Sequence, residues 1–550
     1  MKPFALLAIL SLVTTAIAAE KPNIILIMVD DMGFSDLPTY GGEMDTPHLD
    51  SLAKNGLCFT QFYNSARCCP TRATLMTGLH THQVGIGHMT GEQSKPAPEH
   101  PPAYAGNLND SCVTLAQVAK SAGYATFMTG KWHLSGTDQA DWPLQRGFDR
   151  YYGCLSGATH FFHPYDFRIM FDGNTPDPNP KSTTDRRFYT TDAFTDHAIR
   201  FITEHKTGES KEAPFFLYLA YTAPHWPLHA HDEELNKYQG KYAMGWDKLR
   251  EQRYQRQLDS GLIPKTWKLS PRDPEVPAWD RLYYETRAKC AALLSAYAAM
   301  IDRVDQKIGD LLNTLKKHEA FDNTLILFLS DNGACAEVSL TGKGDPIKDR
   351  APHTALTIPS YGKAWANASS TPYREYKQRA HEGGSNTPFI AHWPARIKPG
   401  RDWFRGPAQL IDIMPTVLDL TGAKYPAEHK GKPILTLDGI PLTPAFEGKN
   451  LTRKTPIFIE HQNNAFVRDG DWKLVGEGVS PAAGLKKDKW ELYHITHDGT
   501  ELNNLATTHP EKVAELSKQW ETWAKRVNVF PKPGERKNPS NKNKKPKANN

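Results

Sequence analysis

Four short apolar runs, each closing on residues that carry chemistry, constrain the fold of this chain more than any other feature. The first, Asn23-Ile24-Ile25-Leu26-Ile27-Met28-Val29, stops at Asp30-Asp31-Met32-Gly33. A second, Tyr124 to Met128, runs on to Gly130-Lys131-Trp132-His133. A third, Pro214 to Ala220, leads to Pro224-His225, and a fourth, Thr324 to Ser330, to Asp331-Asn332-Gly333. Runs of this kind fit strands buried on both faces, the condition of a parallel sheet covered by helices on either side. Open α/β sheets bind ligands beyond the carboxyl ends of their strands. One polar strand end is weak evidence of function, whereas four carrying Asp-Asp, Lys-x-His, His and Asp-Asn point to a single site. Lys131 and His133, two apart on an extended segment, are expected to face the same side. Adjacent carboxylates such as Asp30 and Asp31 are costly unless a cation offsets them, and hard cations such as calcium take oxygen ligands. Asp331 and the amide of Asn332 extend that oxygen set.

The rest of the chain can be arranged around such a sheet. Tyr284 to Lys317 reads as a long helix with Val304, Ile308, Leu311 and Leu315 in a stripe suited to core packing. Residues 135 to 213 read as long loops plus one helix, Thr191 to Glu204, and His231 to Asp280 as an insertion with little periodicity. Beyond Gly422, short alternating segments (Pro456 to Glu460, Asn464 to Arg468, Trp472 to Val475, Trp490 to Ile495) read as antiparallel strands, followed by an amphipathic helix from Pro510 to Val527. The expected organisation is a signal peptide over residues 1 to 19, a catalytic domain over 20 to 424, a small α+β domain over 425 to 530 and a basic tail over 531 to 550.

The first nineteen residues combine Lys2, the apolar run Phe4 to Ile17 and the small-residue site Ala16-Ile17-Ala18. That run is shorter than the roughly 20 residues a membrane span needs. An exported protein, periplasmic or extracellular, is expected. The net charge of +5 is concentrated in the tail, which holds seven Lys or Arg against Glu535, so the body is about neutral. No basic stripe with interleaved aromatics argues for nucleic acid.

The most structured loop is Cys68-Cys69-Pro70-Thr71-Arg72-Ala73-Thr74-Leu75-Met76-Thr77-Gly78, with a helix expected from about Thr71 to Leu79. It sets Cys68 at a helix N-terminus, where backbone N–H groups favour negative charge. This stretch resembles the signature of the type I sulfatases, in which that cysteine is oxidised to formylglycine. The spacing to Pro70 and Arg72 selects Cys68 over Cys69. With Cys68 consumed, the other six cysteines allow 15 pairings, and no C-x-x-C pair suggests structural zinc. Gly130-Lys131-Trp132-His133 and the Lys377 that lies five residues before Glu382-Gly383-Gly384 resemble further sulfatase blocks. These blocks follow the family's order from Asn23 to about Ala506. Many members carry Arg-Val-Pro after the glycines. Here Ser385-Asn386-Thr387-Pro388 is similar to the bacterial arylsulfatase branch.

The resemblance implies an alkaline-phosphatase-like α/β/α sandwich with a large mostly parallel sheet, plus a smaller C-terminal α+β domain with an antiparallel sheet. It implies hydrolysis of sulfate esters, aryl or carbohydrate. Asp30, Asp31, Asp331 and Asn332, with the modified Cys68, would hold one Ca2+. A hydroxyl of the formylglycine hydrate would attack sulfur, with Asp331 taking its proton, and a covalent sulfo-enzyme would form. His225 and Lys377 would serve the leaving oxygen, and His133 would deprotonate the second hydroxyl to expel sulfate. Arg72 and Lys131 would stabilise the hydrate and the developing charge. The partners implied are a sulfated small molecule or glycan and a formylglycine-generating maturation enzyme. A phosphonate monoester or phosphodiester hydrolase of the same superfamily is one alternative. A non-catalytic glycan-binding protein is another, although every expected catalytic position is filled.

Overall fold

The four chemistry-bearing runs lie side by side. In a computed structural model, the nine-stranded main sheet comprises β1 (Asn23–Val29), β2 (Leu57–Phe59), β3 (Ala125–Lys131), β4 (Arg150–Cys154), β5 (Met170–Asp172), β6 (Thr175–Asp177), β7 (Phe215–Ala220), β8 (Thr324–Ser330) and β9 (Phe389–His392). The structure describes residues 21–90, 100–165, 168–184, 186–350, 358–400, 402–479 and 490–533. The expected signal peptide and all but the first three residues of the basic tail lie outside these residues. The spatial order is β2-β9-β8-β1-β7-β3-β4-β5-β6. The five central strands, β8 through β4, run parallel, with Ile24 beside both Leu325 and Phe216 and Thr126 beside Phe216. β9 and β2 add antiparallel pairs on one side, β5 and β6 on the other.

Every residue of β1, β7 and β8 is buried. Alternate side chains feed two cores. Ile25, Ile27, Leu217 and Phe328 pack against the helices Thr190–Thr207 and Tyr284–Lys317. Ile24, Leu26, Phe216 and Leu327 pack against Cys68–Thr77, Leu115–Ser121 and Ile413–Thr421 on the opposite face. A continuous apolar run serves both faces because successive side chains point to opposite sides. Burying two such faces is the main term holding the sandwich together.

Two expectations need correction. Residues 135 to 213 contain more than loops and a helix, because β4, β5 and β6 extend the sheet within them. The stretch from His231 to Asp280 contains the helix Gly245–Asp259. Its buried face includes Arg253, whose NH1 lies 2.7 Å from Asp36 Oδ1 and whose NH2 lies 2.8 Å from Glu43 Oε1. Buried ion pairs replace part of the apolar stripe, so periodicity does not reveal this helix.

The C-terminal sheet is an antiparallel meander of β10 (Ile457–His461), β11 (Asn464–Asp469), β12 (Trp472–Gly476) and β13 (Trp490–His494). One face, with Val467, Leu474 and Leu492, packs against Leu516 and Trp520 of the helix Pro510–Arg526. The other, with Ile459, Phe466 and Val475, packs against Tyr63 and Ala380. All seven cysteines are buried free thiols. Among the described residues no helix is long and apolar enough to cross a membrane.

Candidate active site

The helix Cys68–Thr77 begins three residues earlier than the sequence suggests and is buried along its whole length. Arg67 caps it in extended conformation, making Cys68 its first residue, and Gly78 ends it with a φ of 69°. The two neighbouring thiols differ. The Cys69 thiol, with Lys131 and His133, holds Cys68 well below the usual thiol range against the effect of burial. Burial and then Cys68 push Cys69 well above it. An acidic thiol at a helix N-terminus is the reactive one of the pair.

β1 ends at Asp30 and Asp31, and Asp31 adopts a left-handed φ of 70°, a conformation Asp tolerates better than most residues. The two carboxylates serve different partners. Asp30 Oδ2 lies 2.6 Å from Lys131 Nζ and 3.7 Å from Arg72 NH2. Asp31 Oδ1 lies 2.8 Å from Lys377 Nζ, and Oδ2 lies 3.4 Å from His225 Nε2. Asp331, just past β8, accepts from Arg72 NH2 at 2.9 Å and from the Asp31 backbone N–H at 3.2 Å. Asn332 Nδ2 donates to Asp31 Oδ1 at 2.6 Å. All these side chains but that of His225 are at most 1% exposed or wholly buried.

Burial raises Asp30 and Asp331 above the carboxylate range despite their cationic neighbours, and Asp30 raises Asp331 further. Burial also acts on Asp31, but Lys377 and His225 outweigh it and hold that group down. Lys377 stays charged because, against burial, Asp31 and then Cys335, Glu337 and Cys68 together raise it well above its ordinary range. Burial pushes His133 down to about 4, and Lys131 adds to the effect.

His133 has a φ of 55°, so the chain is not extended from Lys131 to His133 as expected. Both groups nevertheless act on Cys68. Gly157 lies against the imidazole, where an added Cβ would stand 2.6 Å from Cε1. The Lys377 loop is held by two backbone bonds, from Lys377 N–H to Ala334 O at 3.1 Å and from Gln378 N–H to Ala66 O at 2.7 Å. Gly333 N–H donates to Gly384 O at 3.1 Å, and a Cβ on Gly333 would collide with the Gly383 carbonyl. The structure thus brings Asp30, Asp31, Cys68, Arg72, Lys131, His133, His225, Asp331, Asn332 and Lys377 to one end of the parallel sheet.

Two further groups at the site were missed in the sequence. Glu337 lies 2.7 Å from Arg67 NH1 and 3.4 Å from Lys377 Nζ, and it accepts from Gln378 Nε2 at 2.8 Å. Burial would raise it, yet Lys377 and Arg67 bring it down to about 2. Position offered a hint, since Arg67 abuts Cys68 and Glu337 follows Asp331 by six residues. Direction was not visible.

A five-stranded parallel centre between two helical layers, with an acidic and cationic cluster at its carboxyl edge, is an α/β/α sandwich of the alkaline-phosphatase-like kind with its candidate site where such sheets bind ligands. The chain belongs to the sulfatase family: the Sulfatase model matches residues 22–423. A second model, N-sulphoglucosamine sulphohydrolase, C-terminal, matches residues 373–526. An uncharacterised sulfatase of Schizosaccharomyces pombe is 34% identical over 94% of this chain and 95% of its own length. An arylsulfatase of Klebsiella aerogenes is 32% identical over 80% of this chain and 95% of its own. The crystal structure of Ps i-CgsB in complex with k-i-k-neocarrahexaose superposes with a TM-score of 0.66 at 26% identity, covering 92% of this chain and 93% of that one. The chain is a sulfuric ester hydrolase.

The site also fits the divalent metal associated with this family. Asp30 Oδ1 and Asn332 Oδ1 are buried and have no hydrogen-bond partner among the described residues. Asp30, Asp31 and His225 offer ligand atoms within 4.8 Å of one another. Carboxylate and amide oxygens suit a hard cation.

Proposed function

We propose that this enzyme hydrolyses aryl or carbohydrate sulfate esters through Cys68 oxidised to formylglycine, with one Ca2+ held by Asp30, Asp31, Asp331, Asn332 and residue 68. The observation that carries the reading is one strand-end cluster beside the helix that Cys68 begins, in which Asp30, Asp31, Arg72, Lys131, His225, Asp331, Asn332 and Lys377 are joined by contacts of 2.6 to 3.7 Å. When present, the modified residue would supply a nucleophile and the cation, held by those side chains, a Lewis acid.

The chain's own groups do the rest. Arg72 and Lys131 offset negative charge beside residue 68. Asp331, bonded to Arg72 NH2 at 2.9 Å, takes the proton of the attacking hydroxyl. Lys377 presents a fixed positive charge to the leaving oxygen. His225 Nδ1 lies 2.6 Å from the Trp226 carbonyl, which can only accept, so Nδ1 carries a proton and Nε2 faces the site. Buried and neutral, His133 is suited to act as the base that removes the second hydroxyl proton and releases sulfate. Maturation by a formylglycine-generating enzyme belongs to this proposal. So does export, which rests on residues 1 to 19 alone.

The test is the intact mass of the peptide bearing Cys68 from protein matured in its native host, alongside release of sulfate. A loss of roughly 18 Da, with calcium-dependent turnover of sulfate esters in preference to phosphonate esters, is the expected result. Fully active protein with an unmodified thiol at position 68 would sink the mechanism.

A further inference from the structure

Three loops meet at Glu337, in the loop that follows β8. Its Oε1 lies 2.7 Å from Arg67 NH1 and accepts from Gln378 Nε2 at 2.8 Å, while Oε2 lies 3.4 Å from Lys377 Nζ. Arg67 caps the helix that Cys68 begins, so one carboxylate links that helix to the loop carrying Lys377. The Lys377 loop needs such a tie. Glu375 and Gln378 both have left-handed φ values, of 65° and 78°, which persist only where surrounding contacts over-determine them. Asp31 by itself does not fix the ammonium. Lys377 Nζ lies 2.8 Å from Asp31 Oδ1 and 3.0 Å from Oδ2, but Asn332 Nδ2 also approaches Oδ1 at 2.6 Å and His225 Nε2 approaches Oδ2 at 3.4 Å. A point charge on a flexible four-carbon stem takes its place from the charges around it, and Glu337 supplies the second carboxylate.

We infer that Glu337 is a positioning residue: it sets the Lys377 ammonium against the leaving oxygen and ties that loop to the cap of the Cys68 helix. The inference rests on the sulfatase reading above, in which Lys377 serves the leaving oxygen. When the bond from sulfur to that oxygen breaks, the electron pair stays with the oxygen, and a fixed positive charge counts most where the departing anion is unstable. Losing Glu337 should therefore hurt sulfates of weakly acidic phenols more than the sulfate of a nitrophenol. A carboxylate that only held the fold would affect all of them alike.

The experiment measures kcat/KM of the matured enzyme on phenyl sulfates graded from 4-nitrophenyl to 4-methoxyphenyl, with thermal melting as the folding check. Lys377→Met should lose at least about a hundredfold more on the 4-methoxyphenyl ester than on the 4-nitrophenyl ester. Glu337→Ala should lose about tenfold more. Glu337→Gln keeps an acceptor for Arg67 and Gln378 but removes the charge facing the ammonium, and should show a similar bias. Adding Glu337→Ala to Lys377→Met should change the ratio between the two esters by less than about twofold, because the carboxylate acts through the ammonium. An equal loss on every ester in both Glu337 variants, an unchanged rate in both, or a full further change of the ratio in the Lys377→Met background overturns the inference alone. An unchanged ratio in Lys377→Met overturns the role given to that lysine and the inference with it. A matured wild-type enzyme that turns over none of the series overturns the sulfatase mechanism and the inference together.

Discussion

Lys473 is wholly buried between two carboxylates where the C-terminal sheet meets the catalytic core, with its Nζ 2.6 Å from Glu382 Oε1 and 2.9 Å from Glu501 Oε1. Tyr63 and Asn386 donate to Glu382 at 2.9 and 3.0 Å, and the Glu382 backbone N–H donates to Glu501 Oε2 at 2.9 Å. The active site buries a cluster of similar composition, with Asp30, Asp31 and Asp331 against Arg72, Lys131 and Lys377. In the first cluster every carboxylate oxygen but one is hydrogen-bonded, and that one, Glu501 Oε1, lies 2.9 Å from the Lys473 charge. In the second, Asp30 Oδ1, Asn332 Oδ1 and both nitrogens of His133 have none among the described residues. A saturated network holds a fold together, whereas one with free valence can still take a cation, a proton or a substrate.

That contrast can be broken at several points. Cys68→Ala should reduce sulfate release by at least about a thousandfold with the melting temperature nearly unchanged. Residual turnover near the wild-type level would show that the reacting centre lies elsewhere. Removing calcium with a chelator should cost about a hundredfold in turnover, restored by calcium. In a melting experiment, calcium at a hundred times its Kd should add about 2.7 kcal/mol of stability.

Lys473→Met should do the reverse, because it breaks a saturated buried pair. An unfolding free energy lower by about 3–5 kcal/mol is expected in denaturant titration, with turnover of the folded enzyme reduced less than about tenfold. A catalytic loss equal to that of Cys68→Ala would erase the distinction between the clusters. The smallest effect concerns pH. His133 works deprotonated, and its affinity for a proton is depressed, so activity is lost only as pH falls through about 4. At pH 5.5, kcat/KM should stay within about twofold of its neutral value. An ordinary imidazole, with a pKa of about 6.5, would lose roughly tenfold. A pH–rate profile separates the two.

Much of this was legible along the chain because the signals are local. The runs of β1, β7 and β8 and the long helix Tyr284–Lys317 have the bounds, within a residue, that hydrophobic pattern suggests. The alternation after Gly422 marks β10 to β13. The helix Gly245–Asp259 was hidden because the carboxylates that bury Arg253 lie more than 200 residues away at Asp36 and Glu43. β5 and β6 were hidden because they are only three residues each, too short for an alternation to register.

The sequence by itself determined the chemistry available. Residue types at strand ends, together with the Cys68 block, single out the proposed nucleophile, the candidate oxygen ligands and the basic groups, since buried strands and helix starts carry short-range signatures. Only the tertiary structure decided how those groups divide. The order β8-β1-β7-β3 sets four strand ends side by side. The left-handed Asp31 sends two adjacent carboxylates to different cations, and packing brings Glu337 to Arg67 and Lys377. Electrostatic and hydrogen-bonding partners are chosen by distance in space, and in this chain those distances are set by strand order and by a C-terminal sheet that packs against Tyr63 from nearly 400 residues further along the chain.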